Sequence, residues 1–258
     1  MLKSLYTAAT GMDAQQTRMD VIANNLANAS TTGFKKARAE FDDLLSETVR
    51  AARSLDGRGG AAVEVGAGVR LGATTRFFSQ GDMVATQSPT DLAIEGDGFF
   101  AVERPDGQLA YTRAGAFRVD AAGRLTTLQG DTVEPGFTVP QNATALTVQP
   151  DGRVHVLVPG RTDPVDLGQV ELATFTNPGG LRAIGGNLLA ATEDSGEAQR
   201  VRPGEDGAGS LAQGYLEGSN VKAVEEMIDL IVTQRAFEMN SKVIQTGDQM
   251  LQRLTNLR

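Results

Sequence analysis

Apolar residues recur every seven positions at Leu5, Met12, Met19 and Leu26, with Ala8, Ala9 and Ile22 filling between them. A seven-residue repeat keeps a narrow stripe on one side of an α-helix. The pattern predicts a helix over residues 2–28, roughly 40 Å long, with a heptad seam rather than a broad globular face. Asn28, Ser30, Thr31, Thr32 and Gly33 end it, because short polar side chains compete for the backbone and glycine accepts positive φ. The far end of the chain repeats the design. Leu230, Phe237, Ile244 and Leu251 share one heptad row, Ala236, Val243, Met250 and Leu257 occupy the row beside it, and Leu254 extends the seam. This predicts a second long helix over residues 221–256, about 50 Å in length. Ser219 and Asn220 are its expected N-cap, with Glu225, Glu226 and Asp229 near the positive end of the dipole and Arg253 and Arg258 near the negative end. A short helix is also expected over residues 36–50.

Between these flanks the period changes to two. Residues 102–113 read as strand, a Pro105-Asp106-Gly107 turn, and strand. Residues 117–127 repeat this around Asp120 and Gly123, and residues 148–158 around Pro150-Asp151-Gly152. Asp-Gly between alternating apolar residues is a hairpin signal. All nine prolines, and 27 of the 30 glycines, lie in this middle zone, which disfavours helix there. Val63, Val65 and Val69 alternate with Glu64, Gly66 and Gly68 in a strand-like run able to pair with a neighbouring subunit, whereas Gly57-Arg58-Gly59-Gly60 has the composition of a flexible linker. Residues 195–210 read as a loop. The fold class is therefore α+β, with long terminal heptad helices forming a discontinuous helical domain and a central antiparallel β-domain. The expected boundaries are 1–35 and 219–258 for the paired helices, 36–70 and 205–218 for a connecting region, and 71–204 for the β-domain.

Composition narrows the chemistry. With 24 Lys plus Arg against 32 Asp plus Glu, the net charge of -8 has the wrong sign for a duplex, and 5% aromatic residues with no Trp give no stacking platform. Nucleic acid is not an expected partner. Zero Cys removes disulfides, thiolate nucleophiles and Cys-based metal sites, and the single His155, alternating with Val154 and Val156, reads as a strand surface position. No metal or cofactor is expected. Gly66-x-Gly68 lacks the third glycine and the following helix of a dinucleotide loop. No run of about 18 to 20 apolar residues predicts a membrane span, and the interrupted apolar stretch after Lys3 predicts no cleaved signal peptide. Glu95 and Asp97, two apart beside Phe99 and Phe100, would share a face on a strand and mimic a glycosidase pair; as solvated turn residues they would do nothing of the kind.

Three strings carry a resemblance. Ala23-Asn24-Asn25-Leu26-Ala27-Asn28-Ala29-Ser30-Thr31-Thr32-Gly33-Phe34-Lys35 resembles the N-terminal signature of the bacterial flagellar rod and hook family. Gln234-Arg235-Ala236-Phe237-Glu238-Met239-Asn240-Ser241-Lys242, followed by Asp248-Gln249-Met250-Leu251, is similar to its C-terminal signature. Gly96-Asp97-Gly98-Phe99-Phe100, with Tyr111-Thr112-Arg113-Ala114-Gly115-Ala116-Phe117, looks like the start of its β-domain. The resemblance implies a structural, non-catalytic subunit, most like that of the distal rod, polymerising helically into the shaft that transmits torque from motor to hook. Proximal rod or hook-type subunits are the alternatives within the family, and a secreted peptidoglycan-acting enzyme using Glu95 and Asp97 is the alternative outside it. It further implies helices lining a tube, a β-domain toward the periplasm, and passage through the flagellar export apparatus. Contacts would follow with further copies, with adjacent proximal rod and hook-junction proteins, and with surrounding ring proteins. The helix seams Leu5, Met12, Met19, Ile22, Leu26, Leu230, Phe237, Ile244, Leu251 and Leu254 are the expected subunit interface. Residues 46–68 correspond in position to a stretch that stiffens the rod.

Overall fold

The structure, a computed structural model, describes residues 2–45, 47–50, 54–55, 58–59, 63–160 and 163–255. The chain forms two compact units: Met1–Ala27, Ala37–Arg76 and Lys222–Arg258 make the first, and Asn28–Lys36 and Phe77–Val221 the second.

The first unit is built on two helices, α1 (Leu2–Ala27) and α2 (Ala223–Thr255). They run antiparallel, since Leu5 abuts Gly247, Gly11 abuts Asn240 and Asn25 reaches Glu226. The glycines permit this approach: a Cβ at Gly247 would lie 2.7 Å from Leu5 Cδ2, and one at Gly11 would lie 2.9 Å from Asn240 Nδ2. On α2, Leu230, Phe237, Ile244 and Leu251 are half-buried and alternate with Glu226, Thr233, Asn240 and Gly247, so one row of the seam is apolar and the other polar or small. On α1, Ala8 and Ile22 are buried and Leu5, Met12, Met19 and Leu26 half-buried. The Leu254 side chain and all of Leu257 lie outside the described residues.

A second side of α1 packs on a two-stranded sheet, β1 (Ala37–Asp43) against β6 (Val69–Arg76), antiparallel with a bulge at Glu40/Phe41. The Thr10 hydroxyl accepts the Val69 N–H at 3.4 Å. The helix expected over residues 36–50 is thus a strand. Ala, Arg and Glu favour helix weakly, but a period of two places Ala39 inward while Arg38, Glu40 and Asp42 face solvent, and pairing with β6 outweighs local propensity. Short antiparallel pairs continue the segment: β2 (Glu47–Arg50) with β5 (Val63–Val65), and β3 (Ser54–Leu55) with β4 (Arg58–Gly59). Val63, Val65 and Val69 are therefore strand residues, paired within this chain to β2 and β1. Residues 46, 51–53, 56–57 and 60–62, including Gly57 and Gly60 of the expected linker, lie outside the described residues.

The second unit is antiparallel sheet. Strands β7 (Met83–Ala85) and β8 (Leu92–Glu95) open it, followed by β9 (Phe99–Glu103), β10 (Leu109–Thr112), β11 (Arg118–Val119), β12 (Leu125–Thr126) and β13 (Thr132–Glu134). Then come β14 (Ala145–Val148), β15 (Arg153–Leu157), β16 (Val165–Gln169), β17 (Leu172–Thr174), β18 (Arg182–Gly185) and β19 (Leu188–Ala190). The last three are β20 (Gln199–Val201), β21 (Ser210–Gln213) and β22 (Tyr215–Glu217). The largest sheet runs β11-β12-β13-β9-β10-β19-β18, with β17 also pairing β9 and β20. The three hairpins at Asp-Gly and Asp120–Gly123 turns are present as β9–β10, β11–β12 and β14–β15. Residues 195–210 are not all loop, since β20 pairs β17.

Strand β9 explains the core. Phe100 and Val102 face a cluster with Leu92, Ile94, Phe117, Val133, Val154 and Leu172, whereas Phe99 and Ala101 face a second cluster with Tyr111, Leu181 and Leu189. Both faces of the strand are covered, which is why it reads as a continuous apolar run rather than an alternation. Edge-to-face pairs Phe100–Phe117, with centroids 5.0 Å apart, and Tyr111–Phe175 at 4.8 Å fix the rings. The chain's last strands close the unit, β21 pairing β8 and β22 pairing β7.

Candidate functional site

The signature residues hold backbone in place. In the helical unit, the buried Asn25 amide treats Ala37 as a sheet neighbour would: its Nδ2 donates to the Ala37 carbonyl at 2.8 Å and its Oδ1 accepts the Ala37 N–H at 3.0 Å. Nδ2 also donates to Glu226 Oε2 at 3.0 Å, so one side chain ties α1, the start of β1 and α2 together. Asn240 packs on Gly11; Gln234 donates to Glu238 at 3.5 Å, and Asp248 accepts from Gln252 at 2.9 Å, both on exposed helix surface. Asn24, Arg235 and Gln249 are exposed.

In the β-unit the turn after α1 is fixed at several points. Asn28 accepts from Thr31 through both its carbonyl and its side chain, at 3.1 Å each. Gly33 adopts φ +70°, donates to the Glu217 carbonyl, and lies so close to the Arg113–Ala114 peptide that a Cβ would fall 2.8 Å from Ala114 Cα. Only glycine suits both conditions. Phe34 is buried beside it. Asn220, expected as a helix cap, does other work. Its Oδ1 accepts the Lys36 N–H at 2.7 Å and its Nδ2 donates to the Phe77 and Ser79 carbonyls, while the helix itself opens at Ala223.

At the centre of this region is a buried ion cluster that motif reading missed. Glu217, fully buried at the end of β22, accepts from Lys35 Nζ at 2.6 Å, from the Gly81 N–H at 2.9 Å and from Arg113 Nε at 2.8 Å. Lys35 also donates to the Ser79 carbonyl, and Arg113 to the carbonyls of Ile94, Gly96 and Gly98. Burial alone would push the Glu217 carboxyl up. The Arg113 charge, the Lys35 hydrogen bond and the Gly81 N–H outweigh it and hold the carboxyl below its ordinary range. Lys35 was visible inside the N-terminal signature, but its counter-ion Glu217 lies 182 positions away, and Arg113, the other cation on that carboxylate, lies 78 away. The one local signal is a charged residue at a strand end flanked by apolar neighbours, as in Tyr215-Leu216-Glu217.

Catalytic chemistry is not assembled. Glu95 ends β8, and Asp97 sits in the turn between Gly96 and Gly98, whose φ values are +110° and +130°. The chain leaves the extended conformation there, so the alternate-residue argument for a shared strand face fails, and both carboxylates are exposed. A cleft of about 240 Å³ reaches Asp97 and Arg113 but not Glu95. A larger groove of about 430 Å³ is lined by hydroxyls, amides and apolar groups, among them Thr31, Thr112, Gln129 and Asn187, without an acid or a base. His155 is half-buried on β15 between Val154 and Val156, opposite Thr147 and Asp166 on the adjoining strands. Among the described residues no cluster of His, Asp and Glu is placed to hold a metal, and no helix is long and apolar enough to cross a membrane.

The uncovered surface lies elsewhere. On the exposed side of α2, Val224, Ile228, Ile231 and Met239 are 66%, 57%, 51% and 64% exposed, and Val243 and Met250 flank them. The half-buried heptad row Leu230, Phe237, Ile244 and Leu251 lies on the side of α2 toward α1, and the exposed apolar row is a different one.

The comparisons with known proteins cover both ends and the β-unit. The family described as "Flagella basal body rod protein" matches residues 5–35, "Flagellar hook protein FlgE/F/G D1 domain" matches 93–156, and "Flagellar basal body rod FlgEFG protein C-terminal" matches 212–257. The flagellar basal-body rod protein FlgG of Caulobacter vibrioides is 49% identical, with 100% of each chain aligned. That of Bacillus subtilis is 39% identical, also over 100% of each. A flagellar hook protein FlgE of Helicobacter mustelae is 36% identical over 96% of this chain, but the match spans 53% of the hook protein. End-to-end alignment with rod proteins, against partial alignment with a hook protein, decides between the two: the chain belongs to the flagellar basal-body rod proteins of the FlgG type, a structural and not an enzymatic family.

Proposed function

We propose that the chain is the repeating unit of the distal rod, polymerising helically into the drive shaft that carries torque from motor to hook. The observation that carries this is the apolar row Val224, Ile228, Ile231 and Met239 on α2, uncovered in the single chain. Surface of that kind along a helix of 33 residues marks a protein contact, and a contact between different faces of identical molecules generates a filament rather than a closed ring. The helical unit supplies the polymer contacts. The inward heptad residues Leu5, Met12, Met19, Ile22, Leu26, Leu230, Phe237, Ile244 and Leu251 hold the two helices of one subunit together, so that the outward row is presented rigidly. Residues 46–68, folded back as paired strands in their described parts, stiffen the polymer from within each subunit. The rod stands in the periplasm, abutting proximal rod and hook-junction proteins and running through ring proteins, after passage through the flagellar export apparatus.

The test is assembly. Deleting the gene from the source bacterium should leave basal bodies without a distal rod, and restoring it should return rods and swimming. Normal rods in the deletion strain would overturn the proposal.

A further inference from the structure

The two helices of this unit are charged in opposite senses on their outward sides. On α1 the exposed row is Tyr6, Ala9, Asp13, Gln16, Asp20 and Ala23, and its only charged members are the two acids. On α2 the exposed row sets Arg235 and Lys242 among Ile228, Ile231 and Met239, with Glu238 at its side. The acids of α2 are each engaged within the chain: Glu225 by Lys222, Glu226 by Asn25, Asp229 by Arg18, Glu238 by Gln234 and Asp248 by Gln252. Among the described residues Asp13, Asp20, Arg235 and Lys242 form no ion pair and no side-chain hydrogen bond. These two carboxylates and two cations cannot satisfy one another within the molecule, because the outward sides of two packed helices point apart.

Spacing gives them a common register. Asp13 and Asp20 are seven residues apart, as are Arg235 and Lys242, so each pair stands about 10.5 Å apart on one face of its helix. Bulk is complementary as well, since Ala9 and Ala23 leave the α1 surface shallow where the Ile and Met side chains of α2 project, which allows close packing of ridges into grooves.

We propose that the outward face of α1 in a second copy of this chain docks on the outward face of α2, with Asp13 and Asp20 paired to Arg235 and Lys242. The contact joins two different faces, so it repeats without closing, and it rests on the polymer reading above. The apolar row supplies the attraction and the charges set the register, since an offset that mismatches the pairs leaves like charge opposed or charge buried alone.

The experiment uses the deletion strain, complemented by the full-length gene and its variants. The unaltered gene must restore rods; failure there rejects the polymer reading, not this contact alone. With that in hand, R235E/K242E should abolish swimming, and the exchange D13K/D20K/R235E/K242E should recover it. Swimming by the double variant at the unaltered level would overturn the proposal. A second measurement is independent of how well those variants fold. The chain contains no Cys, so one copy with D13C/D20C, co-expressed with another carrying R235C/K242C, offers thiols only at the proposed contact. A short bismaleimide should yield a covalent dimer of the two copies in isolated rods. Rods that assemble from both variants and give no dimer would refute the contact even if the charge exchange fails to swim.

Discussion

Replacing Glu217 with Gln tests what the ion cluster does for the β-unit. Gln keeps the shape but turns one acceptor into a donor among donors: Lys35 Nζ, the Gly81 N–H and Arg113 Nε all point at this carboxylate within 2.9 Å. The substitution leaves two cations buried without a counter-charge. Breaking a buried pair from one side costs about 3 to 5 kcal/mol. A surface pair would cost under about 1 kcal/mol, so the two cases are well separated. With a urea dependence of about 2 kcal/mol per molar, the unfolding midpoint should fall by about 2 M. Near-ultraviolet circular dichroism is the assay, because the chain has no Trp and Tyr111 is the buried tyrosine of this unit. Acid supplies a second axis. The folded carboxyl titrates below its usual 4.5, so its stabilisation is complete above that pH and is lost as pH falls through the lower folded value. The gap between native and variant should therefore narrow below about pH 4.5. Adding Lys35→Met to Glu217→Gln should recover part of the loss, since one uncompensated cation is removed. A fall under about 1 kcal/mol, or a gap that does not change in acid, would refute the argument.

Gly33→Ala combines positive φ with a Cβ driven into the Arg113–Ala114 peptide, and should lower β-unit stability by about 2 kcal/mol or more in the same urea assay; a neutral result would mean that this turn gives way easily. Asn25→Ala removes two part-buried bonds to Ala37 and a buried one to Glu226, and should cost about 3 kcal/mol, read as a lower melting temperature of the helical signal at 222 nm. Met239→Asp and Ile244→Asp should separate the two sides of α2: the first leaves the melting temperature unchanged yet blocks rod assembly, while the second lowers the melting temperature itself by unpairing the helices.

Both long helices were legible because a seven-residue repeat survives whatever the helix packs against. The hairpins were legible because their turns are encoded within a few residues, at Asp106-Gly107 and Asp151-Gly152. Strand β1 was not. Its residues favour helix locally, and what makes it a strand is β6, whose pairing of Ala37 with Arg76 spans nearly forty positions. Heptad rows show that a seam exists without telling which surface it meets. Leu230, Phe237, Ile244 and Leu251, the row expected at a subunit interface, are half-buried on the side of α2 that carries Glu226, Thr233 and Asn240, toward α1. Asn25 and Gly33 stood out as parts of a string, but their work, bonding Ala37 and admitting the Arg113–Ala114 backbone, depends on residues brought close only by folding. The Glu95 and Asp97 pairing failed for a local reason, the two glycines that bend the chain around Asp97.

The closure of the β-unit by its last strands has a kinetic consequence. β7 and β8 are made early, yet their partners β22 and β21 lie more than a hundred residues later, and Glu217, which neutralises Lys35 and Arg113, comes with the final strand. A chain delivered from its N-terminus holds two cations that cannot be buried favourably, and two strands without neighbours, until residue 217 of 258 arrives. Loop closure over that distance is slow, and partial structures gain little from it beforehand. Completion is thus timed by the sequence order of one carboxylate, and the unit stays open until nearly the whole chain is present.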